Sequence, residues 1–68
     1  VKTITGIGQR GDYSWMVVIV QSESWANTRD LARERVGWWG AEYVGFFYGA
    51  RDRQDDFANP TDIIDERN

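Results

Sequence analysis

The sequence predicts an α+β domain, a three-stranded antiparallel sheet in the chain order β-β-α-β with one helix packed on a face. Three observations carry this reading. Two β-rich stretches flank a glycine-bearing turn, an amphipathic helical stretch follows at once, and a third aromatic, β-branched stretch closes the unit.

Residues 2–9, KTITGIGQ, alternate β-branched and small side chains as a strand does. Residues 14–22, SWMVVIVQS, are apolar on both faces, with Trp15, Val17 and Ile19 on one side and Met16, Val18 and Val20 on the other. Between them Gln9, Arg10, Gly11 and Asp12 form a turn with glycine available for positive φ, so the pair reads as a hairpin. Ser24 or Asn27 serves as N-cap of the helix that follows. At 100° per residue Trp25, Ala32, Val36 and Trp39 share a stripe with Thr28 near its middle, and Leu31 and Trp38 lie on its flank. Arg29, Asp30, Arg33 and Glu34 take the opposite side, and Gly37 and Gly40 end the helix.

The third strand is expected over residues 42–50, EYVGFFYGA. Placed antiparallel beside the first strand, it gives the spatial order 2-1-3. Composition then shifts to the charged run RDRQDD. The chain therefore divides into a domain over 1–50 and a charged tail over 51–68. That tail either folds back on the sheet or ends in a short helical turn capped by Thr61.

Composition narrows the chemistry. The 68 residues include neither cysteine nor histidine, which removes disulfides, thiolate or imidazole metal sites and every histidine-based catalytic arrangement. An enzyme would have to rest on carboxylates alone, and no pair stands at a defined spacing, so no catalytic residues and no cofactor are expected. A net charge of −3 does not favour non-specific nucleic-acid binding. No stretch reads as a signal peptide or membrane span, and the expected location is the cytoplasm.

Several motifs resolve against their simpler readings. Gly6, Gly8 and Gly11 spell G-x-G-x-x-G, but a strand follows the third glycine where a dinucleotide site needs a helix. The first two glycines are instead small strand positions under a large neighbour. Arg10, Gly11 and Asp12 spell RGD, read here as polar turn residues. Asp52, Asp55 and Asp56 lack the glycine and glutamate of a calcium loop, so they read as a solvated charge run rather than a metal site.

The aromatics carry the remaining signal: four Trp, three Tyr and three Phe. One helix covers one sheet face, leaving either Trp15, Val17 and Ile19, or Met16, Val18, Val20, Val44, Phe46 and Tyr48, in need of a cover. The tail through Phe57, Ile63 and Ile64, a protein partner or second copy, and unpaired bases stacking on Phe46 and Tyr48 are the three candidates. On the helix Arg35 reads as a guanidinium lying over an indole, or as an interface arginine beside Trp38. The expected function is a non-catalytic accessory or binding module acting through protein contacts, including a homodimer. The surface expected to serve it is Arg35, Trp38, Phe46, Tyr48, Arg51 and Arg53. Single-stranded nucleic-acid binding by aromatic stacking beside the arginines is the alternative.

Overall fold

The computed structural model describes residues 1–11, 14–51 and 60–67. It is α+β, with four strands and one helix: β1 Lys2–Arg10, β2 Ser14–Ser22, α1 Trp25–Trp38, β3 Glu42–Tyr48 and β4 Asp62–Asp65. Strand order in the sheet is β3-β1-β2-β4. β1 pairs antiparallel with both β2 and β3, as the hairpin and the 2-1-3 order predict.

The sheet is not the three-stranded antiparallel one expected. β4 adds a fourth strand parallel to β2, from Met16 opposite Asp62 to Ile19 opposite Asp65. Thr61 consequently caps no helical turn: its N–H and hydroxyl both donate to Trp15 O, at 2.8 and 2.9 Å. The physical reason is the ladder on the open side of β2. Its carbonyls need donors, and Thr61 N and Glu66 N supply them at Trp15 O and Ile19 O, the latter at 2.9 Å.

α1 starts at Ser24, whose extended backbone and hydroxyl cap the first turn by accepting from Asn27 N at 3.1 Å. Its buried stripe is Thr28, Ala32 and Val36, at intervals of one turn. Trp25 and Trp39, at the two ends of the predicted stripe, stay partly exposed. The core under the helix contains Ile4, Met16, Val18 and Val20, with Leu31, Ala41, Tyr43, Phe46 and Ile64 packed around them. The Met16, Val18 and Val20 side of β2 is therefore the one the helix covers.

The opposite sheet face is buried at its centre as well. Thr5, Val17 and Ile19 have no exposure and Ile7 has little. The chain leaves β3 toward this face, because Arg51 N donates to the Thr5 hydroxyl at 2.9 Å and that hydroxyl donates to Gly49 O at 2.8 Å. It returns at the far edge with Pro60 fully buried. Phe57, expected as part of a cover, lies outside the described residues.

Candidate interaction surface

The six residues expected to form one surface fall into separate places. Arg35 and Trp38 sit in the last turn of α1. The Arg35 guanidinium lies 4.2 Å from the Trp38 ring centroid, and Trp38 packs edge-on against Trp39 with centroids 4.9 Å apart. Glu66, just beyond β4, ties this group down. Its carboxylate accepts from Trp39 Nε1 at 2.8 Å and its other oxygen is 2.8 Å from Arg35 Nε. The Arg35 N–H is not aligned on an acceptor, so that contact is an ion pair without a hydrogen bond. Arg10 completes the clamp, donating to Asp62 Oδ2 and to Trp39 O, each at 2.7 Å. Arg35 thus stands over an indole, and Trp38 remains 64 % exposed above it.

Phe46 and Tyr48 lie on β3: Tyr48 meets Trp25 at the other end of the helix from Trp38, about 20 Å away along a helix of this length, and Phe46 pairs with Gly6 under Ala32 and Val36. Phe46 is half-buried against the core, not open on a bare sheet face. The register explains why: Phe46 pairs with Gly6 and Tyr48 with Ile4, which puts both on the helix side. Tyr48 projects past the helix and is 59 % exposed. Its ring meets Trp25 edge-on at 4.9 Å and Phe46 edge-on at 5.3 Å. Arg51 is elsewhere again, its guanidinium 4.7 Å from the Phe47 ring on the opposite sheet face. Arg53 lies outside the described residues.

Two further residues stand exposed near β3, outside the six expected. Trp25 fits the helical stripe, but it sits in the first turn, where the helix overhangs the sheet, and Lys2 Nζ rests 5.6 Å from its ring. Val44 is 47 % exposed beside a register shift, where Ile7 pairs with Gly45 but Gly8 with Tyr43. The extra residue in β3 is a β-bulge. At the other sheet edge Glu66 escapes the sequence reading altogether, because nothing in a charged tail marks it as the anchor of Arg35 and Trp39.

Among the described residues β3 pairs with β1 alone, and none of them covers its outer edge with a further strand. The backbone direction follows from one bond. Gly49 N donates to Thr3 O at 2.8 Å, which makes Thr3 and Gly49 a hydrogen-bonded pair. Alternation then turns the N–H and C=O of Phe47 and Gly45 toward β1, and those of Phe46 and Tyr48 outward. The other sheet edge differs. β4 has four residues, DIID, with Asp62 paired to Arg10 and Asp65 to Arg67.

Neither a pocket nor a group of three or more metal-ligating side chains occurs among the described residues. No helix among them is long and apolar enough to cross a membrane. No family model matches the chain, and no curated protein or solved structure resembles it significantly. Function is therefore read from the chain's own geometry.

Proposed function

We propose that the chain is a non-catalytic binding module acting through protein contacts, and that β3 is its docking edge. The observation that carries this reading is the contrast between the two sheet edges. β3 presents outward N–H and C=O groups at Phe46 and Tyr48 with only one charge, Glu42, in seven residues. Such an edge is a template for an added strand unless charge, proline or a covering element blocks it. Exposed Val44, Tyr48 and Trp25 flank it and supply apolar contact beside the backbone bonds. Strand addition draws affinity from main-chain bonds and specificity from alternate side chains, and β3 offers both.

The stacking alternative has less support. Phe46 and Tyr48 stand at 89° to one another, and Arg51 is on the other side of the sheet. A base-stacking platform needs open ring faces beside cations.

The test is selection of extended peptides from a random library on the immobilised chain, with the selected sequences mapped by backbone amide NMR. Selected peptides are expected to shift the amides of residues 44–48, and Tyr48→Lys is expected to abolish binding without unfolding the chain. Peptides that map to another surface overturn the docking edge, as does a selection that yields none on a chain that light scattering shows to be a monomer.

A further inference from the structure

We infer that the strand docking on β3 is β3 of a second copy, paired antiparallel about a two-fold axis through Phe46. This rests on the docking-edge reading and names its occupant. The segment Val44–Tyr48, VGFFY, is complementary to itself when reversed about its centre. Phe46 meets Phe46, Val44 meets Tyr48, and Gly45 meets Phe47, so the small residues face the large ones. Phe46 turns its N–H and C=O outward, so the axis makes it a hydrogen-bonded pair with its own copy. Alternation keeps the facing side chains together. Phe46 and Tyr48 continue one apolar row on the helix side, with exposed Val44 at its end, while the Phe47 ring covers the bare backbone of Gly45 on the other.

Charge agrees with this direction. Each β3 begins with a carboxylate at Glu42 and is followed by a guanidinium at Arg51. Antiparallel reversal sets the Glu42 end of one β3 toward the end of the second copy's β3 that Arg51 follows, whereas a parallel pairing sets like charges together. The bulge at Tyr43 and Val44 ends the regular edge at Gly45, so pairing about Phe46 does not run on toward Glu42. Across the sheet the charged pairs on β4 deny the same opportunity, so the association closes at two copies.

Because the chain has no cysteine, single cysteines report the register cleanly. The expected result is a mass in light scattering near twice 7.9 kDa at about 100 μM, returned to 7.9 kDa by Tyr48→Lys. An equal mixture of Val44→Cys and Tyr48→Cys chains is expected to oxidise to a mixed disulfide dimer, since facing Cα atoms stand about 5.5 Å apart. Either variant alone is expected to stay uncrosslinked, its thiols separated by about 14 Å along the strands. A wild-type chain that stays at 7.9 kDa while peptides bind residues 44–48 overturns self-pairing and leaves the docking edge intact. A doubled mass without the mixed disulfide places the second copy elsewhere and also overturns it.

Discussion

Asp65 and Arg67 form a two-pronged contact in which the Asp65 carboxylate accepts from Arg67 Nε at 2.9 Å, from its terminal nitrogen at 2.6 Å and from its backbone N–H at 3.0 Å. Donors on the ionised form hold the carboxyl pKa down, from 3.8 to about 2. A depressed folded-state pKa contributes stability that is complete above the unfolded value and is lost as pH falls through the folded one. The window is therefore pH 3.8 down to about 2, and the side chain's exposure keeps the contribution small. Carboxyl carbon NMR should show Asp65 titrating near 2, and Arg67→Ala should move the midpoint back toward 3.8. A wild-type midpoint already at 3.8 means the two-pronged contact does not form in solution. Thr28 makes the same kind of local arrangement in the core, where its hydroxyl reaches Ser24 O at 2.6 Å, Lys2 O at 3.2 Å and Ser22 Oγ at 2.6 Å. These bonds let a polar residue hold the centre of an apolar stripe.

The helix meets the sheet through the two glycines of β1. A Cβ on Gly8 would stand 2.6 Å from Ala41 Cβ and from Val36 Cγ1, while one on Gly6 would meet Val36 and Ala32 at 3.0 and 3.1 Å. Gly8→Ala should therefore cost about 1–3 kcal/mol through overpacking, and Gly6→Ala should cost less. Gly37→Ala is the control: nothing lies near its Cβ, and the helical position should gain about 1 kcal/mol. Urea unfolding midpoints measure all three, and equal losses at Gly6 and Gly8 would refute the close approach at Gly8. The hairpin, the helix and β3 were legible because each repeats a period over seven or more residues, which fixes a face without tertiary help. The small-residue role of Gly6 and Gly8 was legible for the same reason, since a strand on both sides leaves no helix to hold a phosphate. β4 was not. Its four residues, Asp62 to Asp65, place two isoleucines between acids, and their strand state comes from the β2 ladder and from Arg10, fifty-two positions away. The exposed positions Trp25, Val44 and Tyr48 were half legible. Alternation set Val44, Phe46 and Tyr48 on one side, but the register with β1 puts Phe46 and Tyr48 under the helix together with Tyr43 and leaves Val44 unpaired at the bulge.

At the scale of the whole molecule the two ends of the sheet are unlike, and in the self-pairing proposed above that asymmetry sets how copies meet. A sheet open at both edges adds strands without limit, whereas one open at a single edge stops when two copies pair. β4 is the closed edge because Asp62 and Asp65 carry charge at both ends of a four-residue strand, and Arg10, Arg35 and Trp39 hold the carboxylates of Asp62 and Glu66 in place. Replacing both aspartates by valine changes DIID to VIIV, removes the Arg10 and Arg67 pairs and leaves an uncharged β-branched strand beside β2. The double variant should then have two open edges on a fold whose core residues are untouched. Its mass in light scattering should rise continuously with concentration, while the wild-type mass stops near twice 7.9 kDa. Adding Tyr48→Lys to the double variant should restore a closed species, because one edge is blocked again. If the double variant keeps the wild-type mass at every concentration, charge on β4 is not what closes that edge. The ladder to β2 and the clamp through Glu66 would then close it by geometry alone.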